Sequence, residues 1–146
     1  MKKQAYTLIG ALVLTTMFAF ATAQAQSSSR ELIANVPFEF SAGSETLPSG
    51  KYTLTVINPA SDQTVLRLRG LNGKSVVLQV HAVNGEAQDG AKLVFHRYGN
   101  KYFLAQAWTA ADINGLETPR TRAEQASEIA GAGRRIETVA LSTKKN

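Results

Sequence analysis

His81 and His96 are the only two histidines, and imidazole is the side chain best suited to proton transfer or metal binding near neutral pH. Each falls in a strand-like run, on the side opposite its presumed core residues, so a shared site is open to them. A metal centre wants three or four ligands, here with carboxylates completing the set. No spacing provides one, and two half-buried histidines without a metal are expected. Nucleophilic catalysis has less to work with: there is no cysteine, no G-x-S-x-G elbow and no H-E-x-x-H pattern. A serine triad could assemble only in space. A carboxylate pair for sugar hydrolysis is possible in principle, with Glu39, Glu45, Asp62, Glu86, Asp89 and Asp112 among the carboxylates. These sit mostly at turns, where solvated charge is expected. The glycines are scattered singly at turns and form no phosphate cradle. No enzyme and no cofactor is expected.

Binding chemistry has a better candidate. Arg97 and Tyr102 should face each other across a hairpin, with His96, Tyr98 and Phe103 close by. Arginine and aromatic side chains dominate interface hot spots, so these five residues form the candidate interaction surface. The competing reading is a structural cation–π or packing pair, because each lies beside core positions.

The elements that must position these groups are strands. From about residue 30 to 109 the chain alternates short strand-like runs with turn signals, the spacing of sandwiches and small barrels. The first run is Leu32 to Phe40, with Val36, Phe38 and Phe40 on one face. Pro37 cannot donate a ladder hydrogen bond, which predicts an edge strand or a bulge. After the turn Leu47-Pro48-Ser49-Gly50, Lys51 to Ile57 alternates, with Tyr52, Leu54 and Val56 on one side. Thr64–Arg69 and Ser75–Ala82 flank Leu71-Asn72-Gly73. A three-residue loop with Gly73 left-handed puts Leu66 and Leu68 with Val76, Leu78 and Val80, and both arginines with Ser75 and Val77. A two-residue loop would mix the faces, so the period of two decides for three. Ala91–Tyr98 and Lys101–Thr109 form the strongest hairpin, with Gly99-Asn100 suited to a type II′ turn. In that register Leu93, Phe95, Tyr102, Leu104 and Trp108 share a face, with Val94, His96, Tyr98 and Phe103 opposite. Both faces are partly apolar, which predicts cover on both sides.

Later, Thr118-Pro119 and the box Thr121…Glu124 compete to start a short helix reaching about Ala130. Its apolar stripe, Ala123, Ala126, Ile129 and Ala130, is weak. Ile136 to Leu141 has the β-branched content of a last strand and is expected along a sheet edge, with Val139 and Leu141 on its more apolar face.

The N-terminus reads as an export signal. Met1-Lys2-Lys3 is a short basic segment, Leu8 to Phe20 is apolar, and Ala21-Thr22-Ala23-Gln24-Ala25 is a small-residue exit. Residues 1–25 are therefore expected to be a signal peptide, 26–31 a polar linker, and 32–146 a single β domain with the helix and last strand. A membrane span wants about 20 apolar residues, and this run is shorter, so no stable span is expected after cleavage. The net charge of +5 falls to +3 once Lys2 and Lys3 leave. The excess lies in Arg134-Arg135 and Lys144-Lys145, while Leu32 to Leu116 is nearly balanced. A nucleic-acid partner would need a clustered basic face, so none is expected.

As a set, Val36-Pro37-Phe38-Glu39-Phe40, Leu47-Pro48-Ser49-Gly50-Lys51-Tyr52, Lys92-Leu93-Val94-Phe95-His96-Arg97-Tyr98-Gly99, Tyr102-Phe103-Leu104, Trp108 and Pro119-Arg120-Thr121-Arg122-Ala123-Glu124 resemble an uncharacterised family of short exported bacterial proteins. The resemblance implies a β-rich exported domain with a polar C-terminal helix. It brings no activity and no site residues.

The reading is an all-β fold, an antiparallel β-sandwich or small barrel of about six or seven strands with one short C-terminal helix. The expected role is an exported, non-enzymatic structural or interaction protein of the bacterial cell envelope, periplasmic or extracellular. A carrier of a small apolar ligand inside the sheet is the alternative, and an enzyme of unrecognised type the third. An interior pocket would favour the carrier, an exposed aromatic patch the interaction protein, and convergent ionisable groups in a cleft the enzyme.

Overall fold

A computed structural model describes residues 31–59, 63–110 and 113–143. The expected signal peptide, most of the linker, Asp62, Asp112 and Lys144-Lys145 lie outside the described residues. The described chain holds eleven strands and one helix: β1 (Leu32–Val36), β2 (Phe40–Ala42), β3 (Glu45–Leu47), β4 (Gly50–Ile57), β5 (Val65–Gly70), β6 (Ser75–Gln79), β7 (His81–Asn84), β8 (Lys92–Tyr98), β9 (Lys101–Trp108), β10 (Asn114–Glu117), α1 (Arg122–Ile129) and β11 (Arg134–Thr143). The fold is mostly β and barrel-like, as expected, although the strands outnumber the six or seven anticipated. Two expected runs divide where the chain changes partner, and the short β3 and β10 carry too little pattern to be read from sequence.

Turn chemistry builds the hairpins. Gly73 is left-handed at φ 83°, and Gly70 N–H donates to the Lys74 carbonyl at 2.8 Å, closing the three-residue loop. Leu66 then faces Leu78, Leu68 faces Val76, and the two arginines face Val77 and Ser75, the expected register. Gly99, at φ 62°, supplies the positive φ that a type II′ turn needs at its first central position, between the paired Tyr98 and Lys101.

Two breaks curl the sheet. The first expected run, Leu32 to Phe40, divides at Pro37, which has no N–H for a ladder. Before it, β1 lies between β4 and β11; beyond it, β2 pairs with β3 and makes one parallel bridge, Ser41 to Phe103, with β9. The edge placement expected for β1 is thus corrected. The second run divides at Val80. β6 pairs with β5, whereas β7, one residue later, pairs with β10. A long strand that passes from one sheet to another in this way makes a corner. β11 makes a second corner, pairing with β8 over Arg134–Ala140 and with β1 over Leu141–Thr143. The strand expected along an edge is therefore an interior strand. The hydrogen-bonded order β3-β2-β9-β8-β11-β1-β4-β5-β6, with β10 joining β9 to β7, comes nearly full circle.

The interior is filled by side chains. Phe40, Tyr52, Leu54, Leu66, Leu68, Leu93 and Phe95 are buried in one cluster. Phe95 meets Phe38 and Phe40 edge-on, each at 5.2 Å between ring centroids. Val139 and Leu141 pack against this cluster, on the face expected for them.

One residue overturns part of the expected β8–β9 register. Phe95 faces Leu104 but Val94 faces Gln106, so Ala105 is an extra residue, a bulge. Its carbonyl accepts the Thr118 N–H at 2.8 Å. Beyond the bulge the faces exchange: Ala107 joins Leu93 in the core, and Trp108 moves to the outer side beside Lys92. There Trp108 is still only 7% exposed. It lies on two glycines: a Cβ built on Gly115 would come within 2.7 Å of its ring, and one on Gly85 within 2.6 Å.

Candidate functional site

The five residues of the expected surface divide between the two sides of the β8–β9 hairpin. His96 and Tyr98 on β8 and Phe103 on β9 point outward, and the Tyr98 and Phe103 rings meet at 5.9 Å. Helix α1 covers them. Thr121 is its N-cap, accepting the Glu124 N–H at 3.2 Å, while the Thr118 hydroxyl, the rival cap, donates to the Leu104 carbonyl. The Glu124 side chain does not complete the capping box. It turns inward, only 3% exposed, and its Oε1 lies 2.7 Å from His96 Nδ1 and accepts the Tyr98 hydroxyl at 3.3 Å. Arg120 donates to the Tyr98 hydroxyl at 3.1 Å, approaches Glu124 at 3.6 Å and pairs with Glu128.

A buried carboxylate is stable only when paired and hydrogen-bonded, and here one network meets that need and docks the helix. Ala123, Ala126, Ile129 and Ala130, the weak apolar stripe, are all exposed, with Ile129 at 86%. The helix is thus held by charge and hydrogen bonds rather than by apolar contact. Glu124→Gln should lower stability by about 2 kcal/mol, the scale of a hydrogen bond to a buried charge. Urea unfolding and amide exchange check this; helix amides as protected as before would show that Glu124 does not dock the helix.

Burial raises the pKa of Tyr52, and that of Tyr98, where the negative charge of Glu124 adds to the effect. Hydrogen bonding to Glu128 raises that of Arg120. Both tyrosines hold their protons more tightly folded than unfolded. Their contribution is complete below the ordinary value of about pH 10 and is lost as pH rises through the raised values. Stability should therefore begin to fall above about pH 10, with Tyr98→Phe delaying the onset of the fall. An unchanged onset in that variant, followed by far-ultraviolet dichroism, would contradict it.

Arg97 and Tyr102 lie on the other side, near the end of the barrel. The guanidinium sits 5.2 Å from the Tyr102 ring centroid, and Tyr102 stacks on Phe38 at 3.9 Å. Arg97 also donates to the Gly99 carbonyl at 2.8 Å and to Glu137 at 3.2 Å. Its cation is engaged within the fold, the structural pair that competed with the binding reading. His81 lies on β7, separated from His96 on β8 by β10 and β9, so the two share no site. Glu39, Glu45, Glu86 and Asp89 are exposed. Among the described residues no group of three or more His, Asp or Glu could hold a metal ion, and no helix is long and apolar enough to cross a membrane. A groove of about 480 Å3 runs outside the barrel, between the 86–92 segment and Thr138 and Ala140 of β11.

A different surface was hidden by counting charge along the chain. Strands β1, β4, β5 and β6 contain no Asp or Glu. Lys51 on β4 and Arg67 and Arg69 on β5 stand on the outward face of this sheet, with Lys74 after the β5–β6 turn. Thr53, Ser75 and Val77 fill the same face. Arg67 and Arg69 are exposed and, like Arg122, Arg134 and Arg135, form no side-chain ion pair or hydrogen bond among the described residues, whereas Arg97 and Arg120 are both paired. The signal was present in the sequence: between Glu45 and Glu86 Asp62 is the lone carboxylate, against Lys51, Arg67, Arg69 and Lys74. Comparison with protein-family models, curated proteins and solved structures finds no match, so these surfaces are read from their own chemistry.

Proposed function

We propose that this chain is an exported, non-enzymatic interaction protein of the bacterial cell envelope, and that the basic face of β4, β5 and β6 meets an anionic envelope component. The Arg67–Arg69 face, unpaired and without a carboxylate among the described residues, carries this reading. Arg97 and Arg120 are held by carboxylates within the fold, whereas Arg67 and Arg69, two residues apart on one face of β5, have no carboxylate beside them among the described residues and can take an external anion. The packed interior supports an interaction protein over a carrier, since Phe40, Tyr52 and Phe95 occupy the space that an apolar ligand would need. The His96–Glu124 pair supports it over an enzyme, because that carboxylate is spent on docking α1. The basic, apolar and small-residue pattern of residues 1–25, the grammar of an export signal, supports an anionic partner in the envelope.

The test is sedimentation of the signal-free chain with washed envelope membranes across a salt series. Binding should weaken steadily with ionic strength, as exposed charges are screened. Arg67→Glu/Arg69→Glu should remain in the supernatant at low salt. Binding that ignores both salt and charge reversal would refute the proposal.

A further inference from the structure

We infer that the anion recognised by this face is the headgroup surface of a lipid bilayer, with the tip of the β5–β6 hairpin entering the headgroup layer. This rests on the reading above and names its partner. Charge alone would suit any polyanion, but the face carries two exposed aliphatic side chains. Leu71, at the hairpin tip, is 79% exposed, and Val77, directly opposite Arg67, is 60% exposed. A glycan or a phosphorylated polymer gives such side chains no apolar surroundings. The boundary between headgroups and acyl chains does, while its phosphates meet the cations.

The placement fits that use. Leu71 follows Arg69 by two residues, and its N–H reaches the Lys51 carbonyl at 3.3 Å, so the aliphatic tip is ringed by Lys51, Arg69 and Lys74. The tip is built in advance. Gly73 N–H bonds the Gly70 carbonyl at 3.1 Å, and the Asn72 side chain accepts the Lys74 N–H at 3.0 Å. Docking therefore orders little new structure, which leaves more of the interaction for affinity. β5 and β6 continue inward from the tip, carrying Arg67 and Val77 beside the same surface.

The experiment uses the signal-free chain with vesicles of phosphatidylcholine alone, or of phosphatidylcholine and phosphatidylglycerol in equal amounts. Binding is expected to the anionic vesicles and not to the neutral ones. Neutralising Arg67→Gln/Arg69→Gln should weaken it about 30-fold, roughly fivefold per charge near a membrane surface. Leu71→Ser, which leaves the charge intact, should weaken it by about tenfold, the scale of withdrawing an aliphatic side chain from apolar contact. An unchanged melting temperature confirms that both variants are folded. Dextran sulfate provides the opposing arm. If the chain binds dextran sulfate equally with and without Leu71 and ignores anionic vesicles, the face takes a soluble polyanion and the lipid inference fails. Salt-sensitive envelope binding would survive that result, so the two proposals fall separately. Vesicle binding untouched by Leu71→Ser would also overturn insertion of the tip.

Discussion

A chain ended at Gly133 is expected to lose its fold. The cut removes β11, whose two edges are both paired, with β8 along Arg134–Ala140 and with β1 along Leu141–Thr143. Without it β8 and β1 become separate open edges, and the path around the sheet is interrupted between them. Val139 and Leu141 leave the core cluster, and the bond from the Leu141 N–H to the Ala91 carbonyl is lost. Burial and pairing together should cost about 5 kcal/mol or more, comparable to the whole stability of a domain this size. In the full-length chain, trypsin should cut slowly at Arg134 and Arg135, because a protease needs their backbone released from β8 and not merely their exposed side chains. Rapid removal of the tail, with an unchanged melting temperature of the remainder, would show β11 to be dispensable.

Trp108→Ala should cost about 3–5 kcal/mol, the usual range for a large aromatic removed from a packed site. The cause is not the one expected from the alternation, because the Ala105 bulge puts this ring outside the barrel. It is buried by lying flat on Gly115, its cross-strand partner, and on Gly85, while its Nε1 donates to Gln106 at 3.0 Å. A companion substitution separates this arrangement from ordinary burial. Gly115→Ala should destabilise the parent chain by about 1–3 kcal/mol, since its new methyl would displace the ring body. The same change should cost little once Trp108 is alanine, a strong coupling in a double-mutant cycle. Additive losses, or indole emission like that of tryptophan in water, would show that Trp108 does not rest on Gly115.

The individual residues of the candidate site were legible, but their grouping was not. Arg97 against Tyr102 follows from a two-residue turn and the period of a strand, both local. Sending His96, Tyr98 and Phe103 to the opposite side follows from the same alternation. What joins His96 and Tyr98 is Glu124, 28 residues beyond His96, with Phe103 held against the Tyr98 ring. In sequence Glu124 is half of a capping box, and its apolar neighbours suggest a helix packed by alanines and isoleucine. The helix turns instead so that its carboxylate meets the histidine and the tyrosine. A buried charge must find partners, whereas exposed alanines cost little.

The same division holds across the whole molecule. Local chemistry determined the β class, the alternation of Tyr52 and Leu54, the loop at Gly73, the turn at Gly99 and the inward face of Val139 and Leu141. Each depends on residues a few positions apart, through side-chain period or backbone sterics. Only tertiary structure decided which strands pair across Pro37 and Val80, that β11 lies inside the sheet, and that Ala105 bulges. Strand exchange compares ladders between distant segments, and a one-residue bulge has no composition of its own to mark it. The basic face belongs to both levels. The sequence held four cations against one carboxylate between Glu45 and Glu86, and strand alternation alone puts Arg67 and Arg69 on one face. Strand pairing decided their neighbours, Thr53, Ser75 and Val77, which leave them without a carboxylate partner among the described residues.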